Sequence, residues 1–255
     1  MSVPLWVSEA AAAFWDDVGE AEPYPRNLRR PIARALPLTL VFLPQLSVAA
    51  AEAWLRRQTA FTFENLPDRS LRACLICRFG HGIIFIDGAD AEDEQRFSLA
   101  HELSHFLRDY HHPRHRAARL VGTEVLQVLD CYRPARAEER IVGVLSKVEV
   151  QPYVHLMDRT GREQRVIEAA EAAADRLAFE LLAPWESVRN VIDGGTEPAN
   201  SVDVMGLLMA RFGLPADAAR RYRQVLELPD AGTSSLLQHL RRNYPGVELR
   251  GSPAE

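Results

Sequence analysis

Two histidines four residues apart, inside a segment with a helical apolar stripe, constrain this chain more than any other feature. The segment EDEQRFSLAHELSHFLRDY (92–110) opens on acids and carries apolar residues at Leu99, Leu103, Phe106 and Leu107. Acids complement a helix N-terminus, and apolar spacings of three and four mark one face, so an amphipathic helix is expected to begin near Asp93. On such a helix residues four apart lie one turn above each other, so His101 and His105 can aim ring nitrogens at one metal ion. Glu102 is offset by one residue. It can reach a metal-bound water without ligating the metal, as a general base must. Zn2+ suits these ligands, because it brings the pKa of such a water towards about 7 and polarises a carbonyl.

A hydrolytic zinc site needs a third protein ligand and an open position. The segment VIEAAEAAADRLAFELL (166–182) predicts a second long helix, ended by Pro184. Ile167, Ala170, Ala174, Leu177, Ala178 and Leu181 form one apolar arc, and Glu171 falls at its margin. A carboxylate there needs a partner, which makes Glu171 the expected third ligand. Asp175, one turn on, is placed to accept an N–H from a ligating histidine and fix its tautomer. His111, six residues after His105, is a rival, but Arg108 stands where the corresponding metzincin motif needs glycine. The other histidines of HHPRHR read as surface residues, and His81 and His155 as polar or structural ones. Cys74 and Cys77 would point to opposite faces of a strand, so they do not read as a metal pair.

The rest of the chain supplies a frame. RACLICRF and GIIFID predict a hairpin, with strands near 72–79 and 83–87 and a turn that depends on the nearby glycines. Ser47 is an expected N-cap for a helix through AAAEAWLRRQ, and a strand is expected within LVGTEVLQVLD (120–130). SVDVMGLLMARFGLPADAARRYRQVLEL reads as two short helices around FGLP, with the turn placement of a helix-turn-helix. Arg211, Arg220, Arg221 and Arg223 give it a local basic face, diluted by Asp203, Asp217 and Glu227. A net charge of −5 offers no global attraction to nucleic acid, so direct DNA binding would rest on that patch alone. Three cysteines, the acids near the N-terminus and the lack of a long apolar run lead us to expect a cytoplasmic protein with no membrane contact.

RFSLAHELSHFL and EAAADRLAFELLAP together make residues 71–186 resemble the ImmA/IrrE family of bacterial metallopeptidases. His101, Glu102 and His105 match its first motif; Glu171, Ala174, Asp175, Ala178, Leu181, Leu182 and Pro184 match its second. The resemblance implies an α+β fold: a zincin-like metallopeptidase domain, its small antiparallel or mixed sheet packed on an active-site helix and a glutamate-bearing helix, with helical N- and C-terminal additions. It implies a zinc endopeptidase whose protein substrate is a helix-turn-helix repressor, cleaved to derepress stress or mobile-element genes. A DNA-binding regulator with a non-catalytic zincin domain, or a small-molecule zinc amidase, are the alternatives.

The expected division is a helical lobe over 1–70, a catalytic domain over 71–186 with an insertion at about 110–160, a helix-turn-helix-like region over 187–230 and a flexible tail over 231–255. In zincins an edge strand receives the substrate as an added strand. Ile83, Ile84, Phe85 and Ile86 are the expected substrate-binding strand, although residues apolar on both faces equally suit an internal strand. Tyr153, His155 and nearby arginines are the candidates for stabilising an oxyanion.

Overall fold

The computed structural model describes residues 3–58, 63, 66–140, 153–158, 165–193 and 203–227. The expected tail over 231–255 lies outside the described residues, as do residues 141–152 and 159–160 of the expected insertion. At the centre is a four-stranded mixed sheet in the order β1-β3-β2-β4. Its strands are β1 (Leu38–Leu43), β2 (Leu71–Arg78), β3 (His81–Asp87) and β4 (Tyr153–Asp158). β1 runs parallel to β3, while β2 is antiparallel to both β3 and β4.

The hairpin forms as expected, but its turn sits one residue earlier. Arg78 pairs with His81, so Phe79 and Gly80 are the two loop residues, and both have positive φ (54° and 78°). Such a two-residue turn matches the twist of its strands, and glycine adopts it without strain. Gly82 is needed for a different reason. A Cβ there would stand 2.5 Å from Leu38 Cδ2 and 3.1 Å from the Phe106 ring.

Both faces of β2 and β3 are covered, which explains their nearly unbroken apolar runs. Ala73, Leu75, Cys77, Ile84 and Ile86 face the main core. Cys74, Ile76 and Phe85 face the opposite side, where α3 (Val48–Gln58) packs and Trp54 meets Phe85 edge-on at 5.4 Å. The two cysteines thus lie on opposite faces, as the strand period requires. Ser47 Oγ accepts from Ala50 N at 3.2 Å, the expected cap of α3.

On the main face lies α4 (Glu92–His105), buried from Phe97 through His105 because the sheet covers one side and the helix Arg165–Leu182 the other. The chain continues from α4 as a single π-helical turn, Phe106–His111, and then as α5 (His112–Val121) and α6 (Val125–Leu129). The strand expected within 120–130 is therefore helical or turn. Val125 and Leu129 pack on Ala117 of α5, so their spacing follows a helix face. The second long helix is named α7 (Arg165–Leu182), followed by α8 (Trp185–Asp193), α9 (Val204–Ala210) and α10 (Ala216–Glu227).

Three expectations about organisation change. The region 1–70 is not only helical: β1 joins the sheet, and α1 (Leu5–Val18) packs against α7. β4 lies inside the stretch read as an insertion, yet it is a strand of the central sheet. The helices after residue 186 share the main core, with Val188, Leu208, Phe212, Leu214 and Tyr222 buried in it. No helix among the described residues is long and apolar enough to cross a membrane.

Candidate metal centre

Burying a histidine, a glutamate and a second histidine within one turn and a half of helix is costly unless each finds a partner. His101, Glu102 and His105 are 2 %, 0 % and 1 % exposed, and all three are partnered. Nδ1 of His101 donates to Asp175 Oδ1 at 2.9 Å, and Nδ1 of His105 donates to Asp109 Oδ2 at 2.9 Å. Each carboxylate is itself held by an arginine. Arg221 Nε of α10 donates to Asp175 Oδ2 at 2.9 Å, while Arg108 grips Asp109 through Nε and Nη2 at 2.6 and 2.7 Å. Arg108 Nη1 also donates to the Ala170 carbonyl at 2.6 Å, which ties the π turn to α7 beside Glu171.

With Nδ1 of both rings committed as donors, the neutral rings present bare Nε2 lone pairs to each other. Those Nε2 atoms are 3.2 Å apart, and Glu171 adds its oxygens at 3.0 Å from His101 Nε2 and 3.2 Å from His105 Nε2. Nε2 of His155, on β4, stands 2.9 Å from Glu171 Oε1. Acceptors converging in this way are favourable only around positive charge, carried by protons or by a metal ion.

The protonation behaviour of the metal-free site follows. Burial disfavours charge on His101, but the hydrogen bonds it donates to Asp175 and Glu171 outweigh that penalty and raise its pKa to about 9. His155 is raised to about 10 against the same burial penalty, by the charges of and hydrogen bonds to Glu102 and Glu171. Burial opposes ionisation of Glu171, yet hydrogen bonds from His101, His105 and His155 hold its carboxyl far below the usual range.

The donor set fits a metal. Zinc bound tetrahedrally at about 2.0–2.1 Å places its ligand atoms about 3.3 Å apart, close to the observed 3.0 and 3.2 Å among His101, His105 and Glu171. Ligand atoms of His101, His105, His155 and Glu171 all lie within 4.8 Å of one another.

The structure therefore brings together His101, His105, Glu171 and Asp175. Glu102 lies beside them, its oxygens 3.1 and 2.9 Å from Nδ1 of His155. His111 does not join them. Its ring stacks on Phe106 at 5.3 Å, and burial with its neighbouring cations lowers its pKa to about 4. The expected substrate strand is corrected as well. Ile83, Ile84, Phe85 and Ile86 pair with β1 on one side and β2 on the other, so their backbone groups are already used. The sheet's edges are β1 and β4.

His155, read from the sequence as polar or structural or as an oxyanion candidate, is the member of this cluster that the reading did not offer as a ligand. The signal was the strand period. In YVHLMD, Tyr153, His155 and Met157 share one face of β4, and Tyr153 and Met157 pack against the main core, where α4 lies. The Tyr153 hydroxyl donates to Asp109 Oδ2 at 3.2 Å, so it braces the partner of His105.

Residues 60–124, which hold the hairpin and α4, match the family model of the IrrE N-terminal-like domain, a peptidase family. The chain has no significant match among curated proteins or among solved structures.

Proposed function

The chain belongs to the ImmA/IrrE family through its IrrE N-terminal-like domain, and from that premise we propose that it is a zinc-dependent endopeptidase acting on a protein partner. The single observation that carries this reading is the convergence of His101, His105 and Glu171 from two helices, each histidine oriented by its own carboxylate. Such carboxylate–histidine pairs fix the tautomer that leaves Nε2 free for a metal. Zn2+ held by these three residues supplies Lewis acidity, polarising the scissile carbonyl and lowering the pKa of a water towards about 7.

The chain's own part is positioning and proton transfer. Glu102 takes the proton of the attacking water on a carboxylate oxygen and delivers it to the leaving amide nitrogen. Its neighbours Ala100, Leu103 and Phe106 are fully buried and keep bulk water from the back of the site. A substrate in extended form adds to a sheet edge by main-chain hydrogen bonds, and the edge beside the centre belongs to the β2/β4 side.

The family resemblance supports a helix-turn-helix repressor as the protein cut and a cytoplasmic setting for the reaction. The DNA-binding reading of the C-terminal helices has less behind it. Phe212 and Leu214, the centre of their turn, are buried in the main core, and Arg220 and Arg221 are engaged with Asp217 and Asp175. The test is cleavage of purified helix-turn-helix repressors by zinc-loaded protein. Cleavage should stop with chelator and with Glu102→Gln; a Glu102→Gln variant that cuts as fast as the parent would sink the mechanism.

A further inference from the structure

Each of the two α4 histidines follows one rule: Nδ1 gives its proton to a carboxylate and Nε2 turns to the centre. His155 obeys the same rule from the opposite wall. Its Nδ1 faces both Glu102 oxygens at 3.1 and 2.9 Å, and its Nε2 lies 2.9 Å from Glu171 Oε1. Its ring stacks on that of His105 at 3.8 Å, with 25° between the planes. Three imidazoles, each backed by its own carboxylate, thus surround one shared glutamate.

We propose that His155 is the fourth protein ligand of this centre, so that the resting site is closed by three imidazoles and Glu171, with β4 lying across it as a strap. The inference rests on the zinc-peptidase reading and concerns how that site is regulated. A hydrolytic zinc site keeps one position for water, whereas four protein ligands make a closed site. Here the side chain that fills the fourth position also engages Glu102, the residue needed as base. Both requirements for hydrolysis are therefore blocked by one residue.

The backbone repeats the block. β4 lies antiparallel on β2, from Leu71↔Asp158 to Cys77↔Tyr153, as an added peptide strand would. β4 is an edge strand, paired only with β2 among the described residues, so it can leave without breaking the β1-β3-β2 core. Its departure would free the β2 edge, the fourth ligand position and Glu102 together. The energy to displace it is expected to come from a binding partner, the substrate protein itself being the simplest, because an incoming strand replaces the same main-chain hydrogen bonds.

The test is X-ray absorption and visible spectroscopy of the full chain loaded with zinc and with cobalt(II), together with metal affinity by competition against a chromophoric chelator. The parent protein should show three imidazoles and a carboxylate without bound water. His155→Ala should show two imidazoles plus water, and its affinity should fall by at least about tenfold. A parent centre with two imidazoles and a water overturns the inference, as does a His155→Ala affinity equal to the parent's. The parent spectrum decides even where His155→Ala fails to fold, and His155→Gln offers a milder second variant. His101→Ala separates the two readings. Metal bound as tightly by this variant as by the parent means that the zinc-site reading itself has failed, and the strap with it. Affinity lost with His101→Ala alongside a two-imidazole parent centre refutes the strap alone.

Discussion

Asp175→Ala removes the acceptor behind His101, and its effect can be worked from the local geometry. Asp175 Oδ1 accepts the His101 Nδ1 proton at 2.9 Å, with the His101 side chain only 3 % exposed, so water cannot replace the lost partner. A buried donor left unpaired costs about 1–3 kcal/mol. Once the tautomer is no longer held, the ring's affinity for a metal falls, and loss of such an outer carboxylate costs about 10–100-fold, or about 1.4–2.7 kcal/mol at 1.36 kcal/mol per decade. Asp175→Asn retains an acceptor oxygen and loses only charge, so its loss should stay below about tenfold. Arg221→Ala should cost less again, about 0–1 kcal/mol, because the arginine side chain is 44 % exposed and its pairing is screened. The assay is chelator competition on the three variants. Asp175→Ala binding metal as tightly as the parent, or Arg221→Ala falling below Asp175→Ala, would refute the reasoning.

Gly82→Ala forces a Cβ to 2.5 Å from Leu38 Cδ2 and 3.1 Å from the Phe106 ring, so it should destabilise the fold by about 1–3 kcal/mol in denaturant unfolding. Phe179→Ala removes a ring stacked on Tyr222 at 4.5 Å and tilted against Phe97 at 5.6 Å; a loss of about 3–5 kcal/mol is expected, again by denaturant unfolding. The metal-free protein should lose stability as pH rises through about 9. The folded-state pKa of His101 is raised above its ordinary 6.5, so its contribution is complete below 6.5 and disappears on deprotonation, which thermal melts of chelator-treated protein across that window would show. Metal uptake at neutral pH should release protons for the same reason, visible as a buffer-dependent heat in calorimetry.

The parts of this fold that were legible in the sequence are those set by local chemistry. That His101 and His105 share one helix face, and Glu171 and Asp175 another, could be read because a helix puts residues four apart on one face, whatever it packs against. The hairpin followed from two apolar runs and a glycine. β1 was not legible. LTLVFL sits between Pro37 and Pro44 among helical patches, and only its parallel pairing with β3, more than forty residues on, makes it a strand of this sheet. The same distance effect misplaced the substrate strand, since apolar residues on both faces of Ile83–Ile86 say that the strand is covered but not which strands flank it. His155 was hidden because a single histidine in a short strand has no motif around it. Its meaning comes from β4 pairing with β2, which carries it to the side of α4 that holds Glu102. His111 shows the converse. Its spacing from His105 suggested a ligand, but the π turn carries it away from the centre onto Phe106.

The central claim is that His101, His105 and Glu171 hold a catalytic-type metal. Elemental analysis of the purified full chain beside its Glu171→Ala variant tests it most directly. One zinc per chain is predicted in the parent and a loss of most of it in the variant, whose fold should persist because Glu171 is partly exposed, unlike the fully buried Ala174, Leu177 and Ala178 of the same helix. Equal zinc in both proteins, or a folded parent that takes up none when zinc is supplied, would contradict it.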